Sequence, residues 1–237
     1  MSIRIPGVLL ALGVAVANVS AAERESEPIE LLVRGDDMGV AQAVNEACIA
    51  AYRQGIVRSV EVMVPGAWFP DAVRLLKENP GLDVGVHLTL TSEWDRCKWR
   101  PLTEAPSLVD ANGFFRPTTR QRSDFPPDTG FLEAGPKLEE VERELRAQIE
   151  VAKRNIAQVT HVSAHMGTPI CTPELRALVE RLCAEYGLRY RDEQLQYARG
   201  FGGYEKSGGE KEADLVNLLE GLKPGRWAII EHPAYDT

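Results

Sequence analysis

The chain is short of histidine, cysteine and positive charge, and each shortage excludes something. Its 237 residues hold 4 histidines and 4 cysteines, and 27 lysines and arginines face 35 aspartates and glutamates, a net charge of −8. With an isoelectric point near 5.2, nucleic acid and anionic membrane are excluded as main partners, since both are held by basic surfaces. Cys48, Cys97, Cys171 and Cys183 match no zinc-finger spacing. Cys48 and Cys183 lie in amphipathic helical patterns and read as buried free thiols. Disulfides stay open as an alternative in an oxidising compartment. There is no internal repeat and no low-complexity tract. Long apolar runs are also missing, except for IPGVLLALGVAVA at residues 5–17. That run follows Arg4 and precedes small residues at 19–22, so residues 1–22 read as a secretory signal peptide, too short an apolar stretch for a span. Residues 23–29 read as a linker. The expectation is a periplasmic or secreted protein with no integral membrane span after cleavage.

What is present is an ordinary globular composition, 44% hydrophobic and 26% charged, long enough for one domain with a large core. Apolar runs alternate with helical patterns. Strands are expected at 30–35, 59–64, 83–88, 160–165, 188–191 and 226–231, and helices at 40–54, 69–78, 137–156, 173–186 and 211–222. Pro70, Pro136 and Pro173 fall near helix starts, and Gly55, Gly187 and Gly221 at helix ends, where a left-handed residue is often needed. The alternation predicts a parallel α/β fold, either a barrel or an open sheet. In 83–88, His87 shares a face with Asp83 and Gly85; in 160–165, His161, Ser163 and His165 point together. Histidines on the inner face at C-terminal strand ends favour the barrel, although an open sheet places ligands there too.

Residues 92–136 read as a long insertion with little periodicity, rich in proline and aromatics. Long loops of this kind are lids or binding loops. Trp94 and Trp99 would suit stacking on sugar rings, with packing onto the barrel as the competing reading.

The chemistry concentrates at LLVRGDDMG. Adjacent carboxylates past a buried strand repel each other and resist burial. They become useful when Asp37 binds a metal and Asp36, beside it, moves a proton. His87 and His165 complete one carboxylate and two imidazoles with open positions, a catalytic rather than structural metal site. The set suits Zn²⁺ and also Fe²⁺, Co²⁺, Mn²⁺ or Ni²⁺. His232 ends the strand WAIIEH. It is either a general acid to a leaving group or a surface histidine.

The segments LLVRGDDMGVAQAVNEACIAAYRQGIVRSVEVMV and NPGLDVGVHLTLT resemble the YdjC-like carbohydrate deacetylase family, whose motifs are DD(F/M)G and G(L/V)HLxLT. PSLVDANGFF, THVSAHMG and EHPAYD are similar to its long-loop segment, its THxDSHxH motif and its HPGxxD motif, so the resemblance covers residues 31–236. It implies a distorted (β/α) TIM-like barrel of polysaccharide-deacetylase type over 30–237. It also implies a divalent metal, Zn²⁺ or Mg²⁺, on Asp37, His87 and His165, with Asp36 as catalytic base and His232 as catalytic acid. The implied reaction removes an N-acetyl group from an amino sugar or oligosaccharide, leaving acetate and a free amine. His161 is assigned support behind the ligands. The chain departs from the motifs at Ser163 and Ala164, where the family has Asp-Ser, at Gly167, where it has histidine, and at Ala234, where it has glycine. The alternatives are an amidase or esterase on a non-sugar substrate and a catalytically weak carbohydrate-binding relative. A homodimer is compatible with all of them. The strand list is one short of the family barrel, so either a strand escapes the reading or the chain is truncated at its C-terminus. Cooperative melting as a compact monomer would exclude truncation.

Overall fold

The structure is a computed structural model that describes residues 28–190, 195–200, 203 and 205–235. The expected signal peptide at 1–22 and most of the linker lie outside the described residues. Six parallel strands form one sheet in the order β4-β3-β2-β1-β6-β5. They are β1 (Ile29–Met38), β2 (Val57–Val62), β3 (Asp83–Leu88), β4 (Val159–Ala164), β5 (Leu195–Tyr197) and β6 (Gly225–Glu231). The helices are α1 (Gln42–Gln54), α2 (Phe69–Lys77), α3 (Leu138–Asn155), α4 (Pro173–Tyr186) and α5 (Gly208–Gly221).

Local chemistry explains the boundaries. Thr172 caps α4 by accepting from the Leu175 N–H at 3.2 Å, Pro173 opens the helix, and Gly187 ends it at φ 65°. Ser207 and Glu210 form a reciprocal capping box at the start of α5. Helix α3 carries Glu139 and Glu140 in its first turn and Lys153 and Arg154 in its last, matching the helix dipole. Between the helices and the sheet, Leu76, Leu82, Leu88, Leu145 and Ile149 are fully buried. Each such side chain contributes about 1.5–3 kcal/mol by leaving water.

The parallel alternation agrees with the sequence, and three details differ. The barrel does not close among the described residues, where β4 and β5 are the outer strands of the sheet. Beyond β4 there is a single bridge, His161 to Arg189. The segment expected as a strand at 188–191 therefore supplies one bridge rather than a ladder, with Arg191 outside the described residues. The strand beside β6 is instead the three-residue β5. Gly55 closes α1 at φ −126°, so no left-handed residue is needed there. The four cysteines are free thiols, Cys48 and Cys183 buried.

The insertion at 92–136 packs onto the domain. Trp99, Phe115 and Phe131 are buried. The buried Glu144 of α3 accepts from the backbone N–H groups of Leu102 and Thr103 at 3.1 and 3.0 Å. Glu140 accepts from the Ser107 N–H and hydroxyl, both at 2.8 Å. A loop tied by its own backbone donors to buried carboxylates has a defined course over the strand ends.

Candidate metal centre

The C-terminal end of β1 makes an irregular turn, and its register with β2 shifts between Gly35 and Met38. Asp37 sits there at φ 68°, a left-handed conformation that non-glycine residues seldom adopt. Gly39 follows at φ 107°, and a Cβ on it would lie 2.8 Å from the Met63 carbonyl. The turn is held by Asn45, whose side-chain oxygen accepts from the Gly39 N–H at 2.7 Å. Strain concentrated at one carboxylate and sustained by its surroundings points to a functional position.

Three side chains converge on that point. Asp37 Oδ1 faces His87 Nε2 at 3.4 Å and His165 Nδ1 at 3.2 Å. One ligand atom from each lies within 4.8 Å of the others, and all three residues are buried. Asp37 Oδ1 itself is buried without a hydrogen-bond partner. His165 comes at the end of β4, where the chain enters a short 3-10 turn with Met166 and Gly167 at positive φ. Its Nε2 lies 2.9 Å from Glu93 Oε2. An ionised carboxylate only accepts, so Nε2–H is the donor and Nδ1 is left facing Asp37.

These residues fit a divalent cation. A partnerless buried carboxylate oxygen faced by two imidazole nitrogens is a nitrogen and oxygen donor set of the kind that holds such an ion. The electrostatics agree. Burial pushes the Asp37 carboxyl up, but His165 and His87 outweigh it and hold it well below the usual carboxylate range. Burial pushes His165 down, yet Asp37 and Glu93 carry it up to about 9. A metal bound there would displace that proton.

The remaining sequence candidates are distributed around this centre. Asp36, 4% exposed, is clamped by Arg34 through Nε at 2.7 Å and a terminal nitrogen at 2.9 Å. Its Oδ2 is 3.7 Å from His87 Nε2. His232 follows β6 with a half-exposed side chain, its Nε2 3.8 Å from Asp37 Oδ2. The close approach of that segment depends on Gly35, where a Cβ would meet Pro233 at 3.3 Å. His161 is not at the centre; its Nε2 donates to Glu61 at 2.7 Å. Trp99 is buried, donates its indole N–H to the Thr91 carbonyl at 2.6 Å, and sets its ring edge-on to His165 at 5.9 Å. Trp94 stacks edge-on to Trp99 and is 36% exposed, so it presents an aromatic surface beside the centre.

Three residues escaped the sequence reading: Arg34, Glu61 and Glu93. Arg34 lies two positions before Asp36 and so shares its strand face, a readable signal. Glu61 is a charge in the middle of the apolar strand SVEVMV, which is also a signal. Glu93 adjoins Trp94 in the insertion, and nothing local marks it. A cavity of about 910 Å³ within the insertion, lined by Asp110, Arg116, Phe125 and Glu133 among others, contains none of the site residues.

Several known proteins are similar to this chain. A carbohydrate deacetylase of Thermus thermophilus is 38% identical over 158 residues, covering 67% of this chain and 51% of that protein. One of Oceanobacillus iheyensis is 34% identical over 168 residues, covering 70% of this chain and 66% of that protein. One of Geobacillus stearothermophilus is 30% identical over 218 residues, covering 88% of this chain and 80% of that protein. The chain thus spans between half and two thirds of the first two relatives. A crystal structure from Enterococcus faecalis, described as a candidate cellobiose-phosphate cleavage protein, shares the fold. Its TM-score is 0.69 at 24% identity, over 90% of this chain and 83% of that one. Residues 30–237 match the family model described as YdjC-like protein. With the match spanning the whole described domain, the chain belongs to the YdjC-like protein family.

Proposed function

We propose that this protein is a metal-dependent carbohydrate deacetylase that hydrolyses the N-acetyl group of an amino sugar. The observation that carries the proposal is the convergence of the partnerless Asp37 oxygen with two imidazole nitrogens, beside a second carboxylate clamped by arginine. Asp37, His87 and His165 would hold the metal, and two nitrogen donors favour Zn²⁺ or another first-row ion over Mg²⁺. The bound ion would supply Lewis acidity toward a water and an acyl oxygen. Arg34 holds Asp36 in a single orientation through two hydrogen bonds, placed to take a proton from the attacking water. Water adds to the acyl carbon, the C–N bond breaks, and His232, on the open side, delivers a proton to the departing amine. The products are acetate and the free amino sugar. Trp94 offers a face for a sugar ring, as amphipathic stacking requires. Residues 1–22 direct export to the periplasm or exterior. That point is checked by the N-terminus and mass of the protein recovered outside the cytoplasm.

The test is acetate release from N-acetylated chito-oligosaccharides, before and after chelation and on adding back Zn²⁺ or Mg²⁺. Release that disappears with chelator and returns with metal supports the proposal. Turnover of a simple acyl ester with none of the sugars, or sugar binding without turnover, would overturn it.

A further inference from the structure

We infer that Glu61 is a positioning residue that sets the proton on His87 through Ser163 and, from the same carboxylate, steadies the Arg34 clamp on Asp36. The inference rests on the metal-centre reading above and goes beyond it, because Glu61 is neither a ligand nor one of the two proton-transfer residues.

Glu61 pairs in register with Gly85 on β3, Gly85 pairs with His161 on β4, and His87 pairs with Ser163. Glu61 therefore reaches β4 only by crossing β3 at a residue without a side chain. A Cβ at Gly85 would lie 2.2 Å from Glu61 Oε2 and 2.6 Å from His161 Nε2. The glycine clears the channel in which the carboxylate lies.

Glu61 is fully buried and its carboxylate can only accept. Its Oε2 takes the hydroxyl hydrogen of Ser163. That hydroxyl has no second hydrogen, so in its 2.6 Å contact with His87 Nδ1 the Ser163 oxygen must accept. His87 then carries its proton on Nδ1 and presents a bare Nε2 toward Asp37 Oδ1. Glu61 Oε1 accepts from His161 and faces Arg34 Nε at 3.6 Å. Arg34 in turn gives two hydrogen bonds to Asp36. One carboxylate thus lies behind both a ligand and the base. A simple ion pair between Glu61 and His161 would require neither Ser163 nor its alignment on His87. Ser163 also stands where the resembling motif has aspartate, and here the charge comes from the neighbouring layer of the sheet.

The experiment is a Zn²⁺ titration in competition with a chromophoric chelator, on the full chain and on Ser163→Ala, Glu61→Gln and the double variant. Helicity by circular dichroism reports folding. Each single change is expected to weaken Zn²⁺ about 10–100-fold, the usual effect of losing a group behind a ligand. The double variant should be no weaker than the weaker single one, because both changes break one relay. Unchanged affinity in Ser163→Ala, or a double variant that loses the product of the two effects, would overturn the inference. If Glu61→Gln does not fold, Ser163→Ala decides alone, since it keeps the Glu61–His161 pair. Ser163→Thr, which restores a hydroxyl, should then recover the affinity. Asp37→Ala separates the two readings. If the unmodified chain binds no Zn²⁺, or Asp37→Ala binds it equally well, the metal-centre reading fails. If Asp37→Ala loses the metal and Ser163→Ala does not, only the present inference fails.

Discussion

The sheet has two unlike halves. From β1 through β4, the strand ends carry the buried candidate ligands, whose orientations are held by further buried or half-buried groups: Arg34, Glu61, Ser163 and Glu93. From β5 through α5 to β6, the packing is thin. β5 has three residues, and α5 buries none of its side chains. The residue this half contributes to the site, His232, is half-exposed. The contrast teaches how the proposed chemistry divides. A metal site must be built before the metal arrives, because buried charges are tolerated only when paired and oriented. A group that meets an incoming sugar and an outgoing amine must stay open to solvent.

The largest expected effect is on the dense half. Asp37→Ala removes the oxygen on which both imidazoles converge. Metal content and acetate release should both fall by more than ~100-fold, beyond what losing a group behind a ligand costs. Retained metal would show that the convergence is not a binding site. The matching change on the open half is His232→Ala. There the turnover number should drop by roughly 100-fold, the scale of general acid catalysis, with Zn²⁺ affinity unchanged. A parallel loss of metal would erase the division between the halves.

Stability should show the same asymmetry. Leu76 on α2 is fully buried, and Leu76→Ala should cost about 2–5 kcal/mol in urea unfolding. Leu219 on α5 is only partly buried, and Leu219→Ala should cost less than about 1 kcal/mol. Equal costs would mean that α5 is covered in solution. The smallest effect is on acid stability. Burial pushes Glu61 up, but its bonds to His161 and the charges of His161 and Arg34 hold it below its ordinary 4.5. A depressed carboxylate contributes stability above its unfolded value, and that contribution is lost as pH falls. The chain should therefore lose stability below about pH 4.5, and Glu61→Gln should flatten that part of the curve. An unchanged slope would mean that Glu61 is not held as a carboxylate.

Much of the fold could be read from the chain because helices and strands follow short-range rules. Pro173 and Gly187 bracket α4 as expected, and β3 runs over the expected residues 83–88. Two of the three missed residues, Glu61 and Glu93, depended on partners far along the chain. Glu61 and Ser163 are 102 positions apart, and Glu93 and His165 are 72 apart. Nothing in either local pattern reveals such a pair. The 188–191 segment alternates like a strand, yet pairing is decided by the neighbour it finds, and β4 offers it one bridge.

By itself the sequence determined the alternating parallel order and the presence of Asp36, Asp37, His87, His165 and His232 at strand ends. Periodicity and residue chemistry are local properties, so they survive without coordinates. The tertiary structure alone decided that Asp37 turns left-handed to meet two imidazoles, that Trp99 backs His165 while Trp94 stays exposed, and that a carboxylate from β2 crosses a glycine to reach β4. Those outcomes depend on distances between strands brought together only by folding, where a buried charge must find its partners or not be buried at all.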